Sequence, residues 1–587
     1  MKRLSPSMFA ACFASLAALT LPSAAGEADD EVLLQAMRAE LERTMEELVM
    51  EDLDRPYFVA YTVHDVELSG GAGVFGALLP SPQSRTRRLT VDLRVGDAAY
   101  DNTNFPFSPA PPSEATLPLE NDVGEIRRRI WLATDHAYKH ALEGLANKRA
   151  AFQNQTRSQA LGDLGPAEPF TFAEDPGPPL PPVEQIESLA LDLSRLFTAM
   201  PEIMNSRVGI ALRRQRTYFV NSEGSSFVRD DPAAVVLAFA ETRAADGTVL
   251  HDFVLEGGTT WEEIADRESL TRRINAMGKR LAARRVATDA ERYIGPVLFE
   301  GQAAAELFAQ VMVPRLLGTR RPEYPASYAN NTRNLGNPFL DKIGARVMAR
   351  TLNLRDDPTL RGNGFAGGFP VDDEGVPTRV TTLVENGILK TLLTTRNPIE
   401  GVDGSTGSYR GFGPVPSNLI LTSRNGMSRE EMLAEMMLLV EERDGEYGIV
   451  VRRLGKPGIQ PSSTRASVGY RGGSGQINLQ GPALAFKVYP DGREELLRGA
   501  EFAAVTDTIF KEIVAASAAS TVYSTYDRYR ATRSLMRRGF SGGPAATMHL
   551  FSVSVPDLLV EELTIREPSG NLPHPPIAAH PFFENPQ

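Results

Sequence analysis

Three observations predict an α+β architecture for this chain. Strand-like and helix-like segments cluster instead of alternating strictly, which argues against a doubly wound sheet. The 42% hydrophobic and 23% charged content supplies packed cores and is too apolar for a disordered protein. No self-similarity recurs at a fixed period, so a solenoid or propeller is not expected. At ~150 residues per domain, the 587 residues predict roughly three or four domains or subdomains.

Residues 1–25 read as an export signal. Lys2 and Arg3 give a positive start, Met8–Leu21 is apolar and uncharged, and Ser23-Ala24-Ala25 offers small residues for cleavage before Gly26. The run falls short of the roughly 20 residues that span a bilayer. Cys12 lies inside it rather than at its end, which argues against a lipid anchor. An exported product, periplasmic or extracellular and without a membrane anchor, is expected.

An N-terminal and central region, 26–295, opens with a helix over Glu31–Met50, whose Leu33, Leu34, Met37, Leu41, Met45 and Leu48 share a face. Tyr57–Glu67 and Thr86–Val95 alternate as half-buried strands across a Gly-rich connection, Ser69–Pro82. Two Pro-rich loops, 105–118 and 165–182, are expected to be mobile surface excursions; they precede helices at Asp122–Phe152 and Val183–Met200. Arg207–Glu256 reads as strands, with Asn221-Ser222-Glu223-Gly224 and Asp246-Gly247 as turns. A helix at Leu270–Ala287 ends the region, and a boundary is placed near 288–295.

The second region, 296–566, is read as β-rich with glycine-rich loops. It opens with the strand Pro296-Val297-Leu298-Phe299 and a helix, Gln302–Val311. A loop at Gly362–Gly368 and β-segments at Arg379–Glu385 and Ile388–Thr394 follow. Ser428-Arg429-Glu430-Glu431 is a capping box that starts a helix through Glu442, with Met432, Met436, Met437 and Leu439 as core. Strands at Ala483–Tyr489 and Glu494–Leu497, a helix at Phe502–Ala516, and strands at Met548–Val553 and Leu558–Ile565 complete it. The Pro-rich tail, 567–587, is expected to be poorly ordered.

Charge and cysteine usage narrow the chemistry. Lys and Arg total 62 against 74 Asp and Glu, a net charge of -12 that opposes general nucleic-acid binding. With Cys12 the one cysteine, disulfides, thiolate-held metals and a thiol nucleophile are excluded downstream. His136 and His140, four apart on a helix, could offer two imidazoles to a metal, but the glutamate of H-E-x-x-H is absent. Arg127, Arg128, Arg129 and Lys148 nearby favour a solvated basic helix face instead. Gly539-Phe540-Ser541-Gly542-Gly543 matches G-x-S-x-G, yet Pro544 and a β-like run follow where a nucleophile elbow needs a helix. Asp372-Asp373-Glu374 could bind a hard cation or hold a proton for acid–base work. Its plainer reading is a solvated acidic turn.

Phe369–Leu389 carries Asp-Asp-Glu-Gly-Val-Pro at 372–377 and Leu-Val-Glu-Asn-Gly-Ile-Leu at 383–389, and resembles the signature of the TldD/PmbA family. Ser405-Thr406-Gly407 with Tyr409-Arg410, Pro416-Ser417-Asn418-Leu419 and Val220-Asn221-Ser222-Glu223-Gly224 resemble further family motifs, over roughly residues 200–565. The resemblance implies a two-part α+β architecture and a metallopeptidase ancestry, also labelled modulator of DNA gyrase. In the catalytic branch, H-E-x-x-x-H and a C-terminal cysteine hold zinc, and the glutamate takes a proton from metal-bound water. On this chain those motif positions fall on Glu300, Gly301 and Ala305, and the cysteine is absent. The pattern is similar to the PmbA/TldE-like branch, which implies a non-catalytic subunit that binds an extended peptide at a sheet edge. A TldD-like catalytic subunit or a second copy would be its partner. The alternative is an active hydrolase whose chemistry has moved to Glu300, Asp372–Glu374, His549 or the His136/His140 pair. Zinc is implied only if such a relocated site exists, and export and acidity both oppose a DNA-binding role.

Overall fold

The computed structural model describes residues 24–567 except 52, 106–112, 155–160, 326–336, 412, 456–475, 478, 480, 504 and 527–548. The expected export signal up to Ser23, the Gly539–Gly543 motif and the tail beyond Glu567 therefore lie outside the described residues. The fold is mixed α and β, with a β-rich C-terminal half. No described helix is long and apolar enough to cross a membrane.

Nine described strands form the first sheet: β1 (Pro56–Val74), β2 (Ala77–Leu79), β3 (Gln83–Val95), β4 (Ser113–Leu117), β5 (Thr171–Ala173), β6 (Asn205–Asn221), β7 (Ser226–Asp230), β8 (Ala233–Arg243) and β9 (Val249–Gly258). Their order is β4-β3-β1-β6-β7-β5, and the sheet forks at β6, whose first half pairs with β8 while its second half pairs with β7. Two helices, α1 (Ala24–Glu47) and α2 (Val123–Phe152), share a core with Val59, Tyr61, Leu89 and Val91. Two more, α3 (Val183–Arg195) and α4 (Arg267–Arg285), share another with Val208, Ile210, Val236 and Val254. Asp122 caps α2 by accepting the Glu125 N–H.

The Gly-rich connection is a correction. Ser69–Val74 continues β1 instead of leaving it, in register with β6 through Gly73↔Val208. Its glycines make room for α3: a Cβ on Gly73 would lie 2.4 Å from Ser194 Oγ and 2.7 Å from the Ala190 carbonyl oxygen. Phe75 and Gly76, both at positive φ, then close a two-residue hairpin onto β2. The Pro-rich loops are corrected in part. Ser113–Leu117 pairs with β3 as β4, and Thr171–Ala173 pairs in parallel with β7 as β5. In both, proline sits beside the paired residues rather than among them.

The second half contains β10 (Thr288–Asp289), β11 (Tyr293–Phe299), β12 (Leu352–Asp356), β13 (Thr381–Glu385), β14 (Ile388–Leu389), β15 (Asn418–Ser423), β16 (Gly426–Met427), β17 (Gly448–Leu454), β18 (Gln476–Ile477), β19 (Pro482–Val488), β20 (Glu494–Arg498), β21 (Glu501–Phe502), β22 (Val505–Thr506), β23 (Ile513–Tyr526) and β24 (Leu550–Arg566). The main path runs β10-β20-β19-β17-β11-β24-β15-β12-β13-β14; β23 pairs with β24, and β18 pairs with β22 apart from it. Helix α5 (Gln302–Val311) shares a core with Val297, Phe299, Ile449 and Val451. Alternate residues Leu298 and Val450 pack instead against Met432 and Met436 of α6 (Arg429–Glu441), where the Ser428 capping box is formed.

Two terminal expectations fail. Phe502–Ala516 is not a helix: it divides into β21, β22, a single 3-10 turn at Asp507–Lys511 and the start of β23. Its apolar spacing fits a helix, but a long ladder from Ile513↔Val560 to Tyr526↔Leu550 overrides it, and β-branched Ile513 and Val514 suit that ladder. The two expected terminal strands are one, β24. It carries Pro556 opposite Ser520, beside a register shift in β23.

Candidate functional site

The strand-to-helix junction expected to hold the degenerate motif is a tight turn. Gly301, at φ 55, precedes α5 and donates its N–H to Asp557 Oδ1 at 2.6 Å. Glu300 lies before the helix, so it and Ala305 do not share a helical face. The Glu300 carboxylate accepts Arg429 Nε at 2.7 Å and Arg452 Nε at 2.8 Å, and Arg452 also grips Glu494 through two N–H groups. Ala305 is fully buried in the core around α5. Next to it lies a carboxyl that sequence reasoning missed. Glu306 accepts Gln302 Nε2 and the Leu454 N–H, both at 2.7 Å, and burial pushes it up to about 7.

His136 and His140 do meet on α2, with ring centroids 4.0 Å apart, and His136 Nδ1 lies 3.3 Å from Ser113 Oγ. Among the described residues no three His, Cys, Asp or Glu side chains are grouped to hold a metal. Lys148 does not belong to a solvated face. It is completely buried and pairs with Asp163 at 2.6 Å.

The acidic turn is also not solvated; it plugs into the N-terminal sheet. Asp372 is fully buried, and its oxygens accept the N–H groups of Glu374, Val376 and Tyr409. It thereby ties the turn to the Thr-Gly loop. Gly375 continues the turn at φ 80, where a Cβ would press on Phe219 and Ser225 of the first half. Burial pushes Asp372 up to about 7; burial and then the Asp372 charge push Glu374 up to about 8. Glu374 accepts the Arg396 N–H at 2.7 Å.

Asp373 faces a polar row on the sheet. The register aligns His64 of β1 with Thr217 of β6, and Thr217 with Arg229 of β7. Arg229 donates to Asp231 Oδ2 at 2.7 Å and to Asp373 Oδ1 at 2.6 Å; Arg410 donates to Asp231 Oδ1 at 2.6 Å. Gln215 and Thr217 donate to the same Asp231 carboxylate, and Gly411 N–H to Asp373 Oδ2. Burial opposes the charge of Asp373, but Arg229 and Arg410 outweigh it and hold the carboxyl below its ordinary value. His549, whose Nε2 lies 3.9 Å from a Cβ built on Gly411, is pushed well below the usual imidazole value by burial, with Arg410 and Arg213 adding to it. The structure thus brings Asp373 near His549, and leaves Glu300, Ala305, His136 and His140 elsewhere. Of this row, sequence reasoning missed His64, Gln215, Arg229 and Asp231 altogether. The available signal was Arg213-Arg214-Gln215-Arg216-Thr217, five consecutive polar residues inside a strand, which no one-sided sheet explains.

The comparisons bear on this architecture. Residues 291–478 match the model of the PmbA/TldA metallopeptidase C-terminal domain. The fold is similar to TldE from Thermococcus kodakarensis, with a TM-score of 0.55 and 14% identity over 90% of this chain and 100% of that one. A Thermotoga maritima protein described as a candidate modulator of DNA gyrase gives 0.56 and 16% over 92% and 99%. A Methanocaldococcus jannaschii metalloprotease is 36% identical over 18% of this chain and 24% of its own length. A Methanothermobacter thermautotrophicus metalloprotease is 27% identical over 42% and 50%. The chain thus spans between a quarter and half the length of these curated relatives. The class is that of metallopeptidase-like α+β proteins. Within it, the chain is similar to TldD/PmbA-family proteins, through a PmbA/TldA-type domain at 291–478 and a TldE-like fold.

Proposed function

We propose that this chain is an exported, non-catalytic subunit of PmbA/TldE type that binds extended peptides and helps a TldD-like catalytic partner, or a second copy, to process them. The observation that carries this reading is the junction. Glu300, the one candidate ligand there, is neutralised by Arg429 and Arg452, and Ala305 is sealed in the core. A divalent cation placed beside two guanidiniums would meet repulsion where it needs donors. The test is to express residues 26–587, purify without chelator or metal resin, and measure bound metal and cleavage of unstructured peptides. A metal-free, inert chain that recovers a stoichiometric TldD-like protein from its host supports the proposal; near-stoichiometric transition metal with cleavage by the isolated chain overturns it.

A second reading places acid–base chemistry at Asp372 and Glu374, because burial raises both carboxyls toward neutral pH. It requires that the isolated chain cleave peptides and that Glu374→Gln abolish cleavage. Asp372 is the weaker candidate of the two, since its oxygens are already committed to three backbone N–H groups.

A further inference from the structure

The outer face of α2 suits a metal ion better than its sequence suggests. The helix is fixed from below, because Ala133, Ala137 and Ala141 are buried in the core it shares with the first sheet. His136 and His140 therefore stand on a rigid turn, the first exposed and the second half-buried, with their rings already converged to 4.0 Å between centroids. Ser113 of β4 lies 3.3 Å from His136 Nδ1. A hydroxyl that accepts the Nδ1–H leaves the lone pair on Nε2, which is how a neighbouring oxygen aims an imidazole at a metal. Among the described residues nothing hydrogen-bonds to His136 Nε2 or to either ring nitrogen of His140. The basic neighbours that oppose a cation are each occupied. Arg127 donates to Glu40, Arg128 and Arg129 to Glu125, and Lys139 to Asp135, all at 2.7 Å, while Lys148 is inside the core with Asp163. Glu143, three residues beyond His140, is exposed and adds a negative charge. The contrast is with Glu300, whose own oxygens are taken by two guanidiniums.

We infer that His136 and His140 form an open surface site for a borderline divalent ion of the Zn²⁺ and Cu²⁺ class, held by the two imidazoles with solvent in its remaining positions. Imidazole nitrogen suits such ions, whereas Mg²⁺ and Ca²⁺ take oxygen donors. The site is separate from the Glu300 junction and from the acidic turn, and it does not depend on the peptide-binding reading.

Two protein donors hold an ion exchangeably, so the experiment adds it back. The chain of residues 26–587, stripped with chelator and exchanged into clean buffer, is titrated calorimetrically with Cu²⁺ and with Zn²⁺, and the electron paramagnetic resonance of the Cu²⁺ form is recorded. One ion per chain with nitrogen splitting is expected, and Cu²⁺ should bind tighter than Zn²⁺, as their order at nitrogen sites requires. His136→Asn and His140→Asn should each weaken binding by about tenfold or more, the scale on which even outer partners of a metal site act, and Ser113→Ala by about tenfold. The melting temperature without metal should stay unchanged in all three, because the imidazoles lie outside the core. The paired change His574→Asn and His580→Asn should leave binding intact. Binding that survives both His136→Asn and His140→Asn, or that is lost only with His574 and His580, overturns the site. So does the absence of heat with either ion, or Ca²⁺ binding as tightly as Zn²⁺. An ion bound without peptide cleavage supports the site and leaves the subunit reading standing. Cleavage that appears with the ion and disappears in His136→Asn supports the site and overturns that reading instead.

Discussion

Burial raises both Glu374 and its neighbour Asp373, yet they end on opposite sides of their ordinary values, because Arg229 and Arg410 outweigh burial at Asp373 whereas the Asp372 charge adds to it at Glu374. Glu374 has a folded value of about 8 against an ordinary 4.5, so between those pH values the folded chain holds more protons than the unfolded one. Stability therefore falls as pH rises through that window, at up to about 1.4 kcal/mol per pH unit for each such group. Denaturant melts at pH 5, 6.5 and 8 should show this loss, and Glu374→Gln should flatten it, because an amide oxygen can still accept the Arg396 N–H. A slope that Glu374→Gln leaves unchanged would assign the titration elsewhere. Asp373→Asn is expected to act differently. It leaves Arg229 and Arg410 facing fewer anions in a buried seam and should cost about 3 kcal/mol or more in denaturant stability. None of these opposing fates is readable from Asp-Asp-Glu, since the sequence does not show which guanidiniums will arrive.

Elements were the most legible scale, and glycine the least. The Asp122-capped helix, the Ser428 capping box and the strand-to-helix step at Phe299–Gln302 all follow from local chemistry, and the structure has them. Ser428→Ala should cost about 1 kcal/mol by removing the acceptor for the Glu431 N–H, measurable as a lower melting temperature. Ser69–Val74, by contrast, reads as a loop because its glycines have no strand preference of their own. In the fold they are strand positions that α3 approaches closely. Gly73→Val should therefore destabilise the chain by about 1–3 kcal/mol, although valine is the better strand former, because its Cβ enters the space of Ser194 and the Ala190 carbonyl. A neutral or stabilising result would mean that α3 does not pack there. The misread helix at Phe502–Ala516 has the same origin: spacing describes one face, and the β24 ladder selects another.

Across the whole molecule, the two sheets are joined by charges as well as by apolar packing. Arg396 reaches from the second half to the Gly165 carbonyl at 2.8 Å and to Glu223 at 2.5 Å, and its guanidinium lies 5.3 Å from the centre of the Phe58 ring. Arg453 with Asp252 and Arg229 with Asp373 make further links across the same division. Calorimetry of the intact chain should accordingly show both halves unfolding in one transition. Arg396→Met should lower its midpoint, at a cost of about 2 kcal/mol from the lost bonds of a charged donor. Two resolved transitions in the unmutated chain would show that the seam does not couple them.

The sequence by itself determined the α+β class, most helices and their caps, the family resemblance and the loss of the zinc-ligand pattern. These depend on residue type, spacing and short-range hydrogen bonds, which are local. The tertiary structure decided that the acidic turn is buried, that Lys148 is a core cation and that Glu300 is held by two arginines. It also assembled the His64–Arg229–Asp373–Arg410–His549 row from five separate segments. Burial and charge pairing are properties of neighbours far apart in the chain, and only the packed sheets bring those neighbours together.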